Sequence, residues 1–251
     1  MTVNIMPGCE SFSSKIGSMG VLVIHGFTGN PTSMRPLAEL VAASGFSVEL
    51  PRLPGHGTSL EDMMETTWTD WSGAVLDAFD ELAQRCEGVG VVGLSMGGGL
   101  AAFVAESRPS VAGCVMINPL VKPPVHEMEE GLDQLLDAGI ETIDSIGSDI
   151  KKDGVHELSY PATPLRCTKS LFGALHSVES NLKSVTAPIL LLSSREDHVV
   201  TSDNGDAVVE NCSGPVERVW LENSFHVATM DNDREFVESA TLAFLSKVLV
   251  Q

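Results

Sequence analysis

The chain has 251 residues, 43% of them hydrophobic, a length that suits one domain able to bury most of its unfolded surface. Its 34 acidic and 15 basic residues give a formal net charge of −19, which argues against partners such as nucleic acids and anionic lipid surfaces. The acidity favours solubility, and it would also favour neutral or cationic ligands.

Neither the cysteines nor the apolar tracts point to secretion or to a membrane. Five scattered cysteines form no Cys-x-x-Cys pair, and no basic-then-apolar leader is visible. The longest apolar tract, 89–105, is interrupted by glycines and a serine. We expect a cytoplasmic protein without integral membrane association. Because no residues show metal-ligand spacing, we predict no cofactor and no metal.

Short runs of Val, Ile and Leu alternate with longer stretches of helical periodicity. In chain order, the predicted elements are strand Val21–Ile24, helix Pro31–Ser44, strand Phe46–Leu50, helix Thr69–Arg85, strand Val89–Val92, helix Gly97–Ser107, strand Gly113–Ile117, strand Ile189–Leu192, helix Asp203–Asn211, strand Arg218–Leu221 and helix Asp231–Val248. Several strands lack polar alternation, as expected where helices cover both faces of a parallel sheet. The pattern predicts a doubly wound, mostly parallel α/β sheet.

One segment departs from this alternation. No strand of the main sheet is predicted between Pro119 and Ser184, where the chain carries prolines, an acidic run and amphipathic pieces. A partly apolar insertion between two strands predicts a small cap over the strand ends. We therefore predict a core formed by 1–118 and 185–251 and a cap formed by 119–184.

The pentapeptide Gly93-Leu94-Ser95-Met96-Gly97 lies between a predicted strand and a predicted helix. This is the context of a G-x-S-x-G nucleophile elbow, in which a sharp turn projects the serine at the carboxyl end of a sheet. The two glycines remove β-carbons that would clash in such a turn. Ser95 is the predicted nucleophile.

A serine nucleophile needs a histidine base, which in this fold follows the acid along the chain. His226 is the candidate, because it alone follows the last predicted strand. His25 and His56 precede the serine and are predicted to be structural loop residues that hydrogen-bond the backbone. His198 lies on the loop of the acid. The remaining histidines fall in the predicted cap and are expected at its surface: His126, His156 and His176.

The acid should follow the penultimate strand, and Asp197 holds that position. Its neighbour Glu196 would point elsewhere, whereas Asp203 and Asp206 fit the first turn of the next helix and its dipole. Asp197 is therefore predicted to orient His226.

Acyl transfer also requires donors for the developing oxyanion. The residue after the nucleophile, Met96, would supply one backbone N–H, and the loop after the first predicted strand would supply another. Phe27 is the predicted second donor, with its ring free to line an acyl pocket.

These motifs together resemble the bacterial monoacylglycerol lipase and carboxylesterase group of the α/β-hydrolase superfamily. The resemblance rests on Gly20–Gly29, Ser33–Ala38, Leu50–Thr58, Gly93–Gly97, Glu196–Val200 and His226–Thr229. It implies the α/β-hydrolase fold and a serine esterase acting on neutral monoesters, most of all monoacylglycerols. In the cap, 144–151 and 155–160 resemble the monoacylglycerol lipases in particular, which implies substrate contact by Ile146 and reception of glycerol hydroxyls by Glu157.

Other functions remain open on the sequence. A cofactor-free acyltransferase or perhydrolase would use the same three residues with another acyl acceptor, and a non-enzymatic ligand receptor could share the fold. The oligomeric state also stays open, a homodimer included.

Overall fold

The computed structural model describes residues 4–145 and 147–250. In chain order its elements are β1 (Phe12–Ser14), β2 (Met19–Ile24), α1 (Arg35–Ala43), β3 (Ser47–Leu50), α2 (Leu60–Met64), α3 (Trp68–Arg85), β4 (Gly88–Leu94), α4 (Met96–Ser107), β5 (Val111–Ile117), α5 (His126–Asp137), β6 (Thr142–Asp144), β7 (Ala162–Pro164), α6 (Leu165–Asn181), β8 (Ile189–Ser194), α7 (Asp203–Asn211), β9 (Val216–Leu221) and α8 (Arg234–Leu249). Short 3₁₀ turns cover Pro31–Ser33 and Leu182–Ser184.

The main sheet has the strand order β1-β3-β2-β4-β5-β8-β9. Only β1 pairs in the antiparallel direction, along β3, while every other pairing is parallel. The predicted mostly parallel sheet is confirmed. Because parallel strands all end at one edge, the loops after β2, β4, β5, β8 and β9 converge there.

Helices cover both faces of the sheet, as the apolar strands predicted. One core cluster packs the sheet against α3, α4 and α6, and the other packs it against α1 and α8. The central strands β4 and β5 are buried along nearly their whole length. The loops after these two strands therefore extend from a buried, closely packed part of the sheet.

The first predicted helix is divided in two. Asn30 Oδ1 accepts from the amide of Thr32 at 3.0 Å and so caps the chain at Pro31, but only a 3₁₀ turn follows before α1 begins at Arg35. Pro36 explains the break, because it has no N–H to donate to the carbonyl four residues earlier.

The segment between β5 and β8 contributes α5, the β6–β7 hairpin and α6. The hairpin pairs Thr142 with Pro164 and Asp144 with Ala162, and the sequence did not predict it. Buried residues of α6, Leu171 and Leu175 among them, join the core cluster of α3 and α4. The division into core and cap remains a prediction. Among the described helices, none is both long and apolar enough to cross a membrane.

Candidate active site

Ser95 lies between the end of β4 and the start of α4, with φ +58° and ψ −122°. Residues other than glycine rarely adopt this backbone conformation, so the surrounding structure must impose it. A β-carbon on Gly93 would lie 2.0 Å from the carbonyl oxygen of Gly97, and one on Gly97 would lie 2.4 Å from that of Ile24. The two glycines therefore allow the tight approach that forms the elbow.

The two predicted oxyanion donors flank Ser95. Met96 is the first residue of α4, where a backbone N–H has no intrahelical acceptor. Phe27 lies in the loop after β2, next to Gly26, whose β-carbon position is 3.4 Å from Ser95 Cβ. The Phe27 ring packs edge-on against Trp71 at a centroid distance of 5.5 Å, and Phe27 lines the site cavity.

Asp197 and His226 meet after β8 and β9. His226 Nδ1 lies 2.8 Å from Asp197 Oδ2, and their side chains are 7% and 4% exposed. A carboxylate accepts, so Nδ1 is the donor of this contact, and in a neutral imidazole that leaves the lone pair on Nε2. The amides of Val199 and Val200 donate to Asp197 Oδ1 at 2.9 and 2.8 Å, which fixes the carboxylate.

One cavity of about 470 Å³ is lined by Ser95, His226, Phe27 and Glu157. Within the described residues the Ser95 hydroxyl forms no hydrogen bond with His226, so the structure brings these side chains to one cavity without joining them. Much of the remaining wall is apolar, with Leu120, Pro124, Met128, Leu171, Phe172 and Val200.

Glu157 faces the cavity from the segment between β6 and β7. Its amide donates to Ser148 Oγ at 2.7 Å, and its Oε1 lies 2.8 Å from the position of a β-carbon on Gly29, beside the loop of Phe27. Burial raises the pKa of the Glu157 carboxyl, and the nearby His226 and Ser33 partly offset that rise. The other predicted cap residue, Ile146, lies outside the described residues.

His25 and His56 have the structural role that the sequence predicted. Both are fully buried; His25 Nδ1 donates to Gly26 O and its Nε2 accepts from the amide of Leu53, while His56 Nδ1 donates to Pro54 O. Burial lowers the pKa of His25 to about 3 and that of His56 to about 4. Both rings are therefore neutral at pH 7. The cap histidines are exposed, as predicted: His126, His156 and His176.

Sequence reasoning missed three residues that hold the His226 loop. Buried Asn118 donates from Nδ2 to His226 O at 2.7 Å, and buried Asp231 accepts from the amide of Phe225 at 2.8 Å. Asp149 accepts from the amide of His226 at 3.1 Å. Only Asn118 carried a signal, as a polar residue directly after an apolar strand. Within the described residues, no cluster of His, Cys, Asp or Glu could hold a metal ion.

An elbow serine and a histidine–carboxylate pair at the carboxyl edge of a mostly parallel sheet define a class of α/β protein. The chain belongs to the alpha/beta hydrolase family, whose model matches residues 21–239. This match confirms the α/β-hydrolase fold predicted from the sequence.

Individual relatives are similar over nearly the whole chain. The chain is 42% identical to a thermostable monoacylglycerol lipase of Bacillus sp. (strain H-257), covering 97% of this chain and 96% of the relative. It is 26% identical to a carboxylesterase of Bacillus subtilis (strain 168), covering 95% and 97%. A solved structure from work on the metagenome-derived lipolytic enzymes LipS and LipT is 41% identical, with a TM-score of 0.93 and coverage of 97% and 100%. The predicted resemblance is confirmed.

Proposed function

We propose that this protein hydrolyses monoacylglycerols through an acyl-enzyme on Ser95. Its similarity over nearly the full chain makes it a carboxylic ester hydrolase of the monoacylglycerol lipase and carboxylesterase type.

The hydrogen bond between His226 Nδ1 and Asp197 Oδ2 carries the mechanism. It leaves His226 Nε2 as the base that takes the Ser95 proton while Oγ attacks the ester carbonyl. The amides of Met96 and Phe27 stabilise the oxyanion. Protonated His226 then donates to the departing alcohol oxygen. Water, deprotonated by His226, attacks the acyl carbonyl, and His226 returns that proton to Ser95 Oγ as the bond to the fatty acid breaks.

The cavity has an apolar part and a part with a carboxylate, and both support the proposed substrate class. Leu120, Leu171 and Phe172 offer an apolar surface for an acyl chain, whereas Glu157 offers a carboxylate beside the elbow. A carboxylate can accept from two hydroxyls, which matches the vicinal hydroxyls of 1-monoacylglycerol. The identity of 42% with a monoacylglycerol lipase supports the same substrate.

Substitution of Ser95 tests the nucleophile. Ser95→Ala should lower kcat on 1-monooctanoylglycerol by about 10⁶-fold and abolish labelling by a fluorophosphonate. Ser239→Ala, at an exposed serine of α8, is the control and should leave both unchanged. Hydrolysis by purified Ser95→Ala at a rate near that of the parent would refute the mechanism.

A further inference from the structure

We infer that Asp149 is a positioning residue that joins the loop of His226 to the loop of Asp197. Asp149 belongs to the segment between β6 and β7, far along the chain from both loops. Its side chain is only 13% exposed and lines the site cavity. The inference rests on the proposed function, because it assigns Asp149 to the pair that would activate Ser95.

The side chain of Asp149 contacts both the loop of His226 and the loop of Asp197. Its Oδ2 accepts from the amides of His226 and His198, each at 3.1 Å, and its Oδ1 lies 2.8 Å from His198 Nδ1. His198 directly follows Asp197, which in turn bonds the ring of His226. One carboxylate of the insertion thus bridges the backbones that carry both members of the pair.

The backbone of Asp149 is also held by a hydrogen bond. The carbonyl of Asp149 accepts from the amide of Val227 at 3.1 Å, so side chain and main chain both bind the His226 loop. Two residues further on, Lys151 Nζ lies 3.0 Å from Glu196 Oε2, on the loop of the acid. These contacts fix the direction from which Asp149 reaches the two loops.

The same segment also connects to Glu157. Ser148, next to Asp149, accepts from the amide of Glu157 at 2.7 Å. Glu157, which is proposed to bind the alcohol, and Asp149, which holds the His226 loop, therefore belong to the same short segment of the chain. Displacement of Asp149 should consequently alter the alignment of His226 more than the apolar wall that takes the acyl chain.

The test measures kcat and KM on a methyl ester, because its alcohol lacks the glycerol hydroxyls that Glu157 is proposed to bind. Asp149→Ala should lower kcat by about 10²-fold, as expected for a misplaced catalytic group, and change KM by less than about threefold. Asp149→Asn keeps an oxygen acceptor for the two amides and should recover kcat to within about tenfold of the parent. Asp153→Ala, at an exposed aspartate of the same segment, is the control and should match the parent.

A spectroscopic measurement separates positioning from folding. The proton between His226 and Asp197 gives a downfield NMR signal, assigned by its loss in Asp197→Asn, and this signal should shift or broaden in folded Asp149→Ala. Parental kcat with an unchanged signal would overturn the inference. If Asp149→Ala does not fold, Asp149→Glu decides, since it keeps the charge but displaces it: kcat at least fivefold lower supports the inference, and parental kcat overturns it. Activity retained in Ser95→Ala would instead refute the proposed function.

Discussion

Gly93 determines whether Ser95 can keep its left-handed conformation. The β-carbon of an alanine at Gly93 would lie 2.0 Å from the carbonyl oxygen of Gly97, so the turn would have to open. Gly93→Ala should reduce the free energy of unfolding by about 1–3 kcal/mol and lower kcat by about 10²-fold, because Ser95, the proposed nucleophile, would move from its position. Urea unfolding and ester hydrolysis measure the two effects.

Gly73 supplies a control for that substitution. It lies inside α3, and a β-carbon there would meet no atom within 4 Å beyond its chain neighbours and the nearby backbone of α3 itself. Gly73→Ala should stabilise the protein by about 0.5–1 kcal/mol, because alanine loses less backbone entropy in a helix. Equal stability and activity of the two alanine variants would show that the elbow tolerates a β-carbon.

Glu157 should matter only for substrates with a glycerol alcohol. Hydrogen bonds to a charged group contribute about 1.5–3 kcal/mol each, so Glu157→Gln should lower kcat/KM on 1-monooctanoylglycerol by about 10- to 100-fold. Methyl octanoate, which lacks the hydroxyls, should change by less than about threefold. The exposed Glu141→Gln serves as the control, and equal losses on both esters would remove glycerol recognition from Glu157.

Asp231 links two elements that are distant in the sequence. Its buried carboxylate accepts four backbone amides, from Lys151 at 2.7 Å, Lys152 at 2.9 Å, Phe225 at 2.8 Å and Asn232 at 2.7 Å. The segment after Asp149 and the loop before His226 therefore fold as one unit. This explains how a loop without regular secondary structure can hold His226 in place.

Removal of that carboxylate should cost stability. Asp231→Ala leaves four amides without their acceptor, and we expect the free energy of unfolding to fall by about 3 kcal/mol or more. Asp137→Asn, at an exposed position at the end of α5, should change it by less than about 0.5 kcal/mol. Chemical denaturation with a fluorescence readout measures both, and equal midpoints would contradict the role of Asp231.

Local sequence patterns predicted the strands and helices that are marked by their own residues. The strands of the parallel sheet were found, and α7 was predicted with its observed bounds of Asp203–Asn211. The strand β1 and the β6–β7 hairpin were missed, because each has three residues and depends on a distant partner. The positions of Ser95, Asp197 and His226 after strands of the main sheet could be predicted from the chain order, whereas their catalytic roles remain a proposal. Asp149 could not be predicted, since its role depends on how the insertion returns to the sheet.

At the scale of the whole molecule, buried titratable groups should dominate the dependence of stability on pH. Burial lowers the pKa of His25 and His56 to about 3 and 4, whereas both side chains titrate near 6.5 when unfolded. Below pH 6.5 the unfolded chain therefore binds more protons at these positions, and stability falls as the pH falls towards 4. Burial raises the pKa of Glu106 to about 7, which acts in the opposite direction between pH 4.5 and 7.

Because these contributions oppose each other, the difference between two variants isolates one histidine. His56→Asn keeps a donor for the carbonyl of Pro54 and removes one titrating ring. As the pH is lowered from 6 to 4.5, the free energy of unfolding should fall by about 2 kcal/mol less in His56→Asn than in the parent. One proton corresponds to about 1.4 kcal/mol per pH unit. Phe79→Leu, a buried change in α3 without a titrating group, should be destabilised equally at both pH values. Urea unfolding at the two pH values measures the difference, and the same pH dependence in His56→Asn and the parent would mean that folding does not shift the pKa of His56.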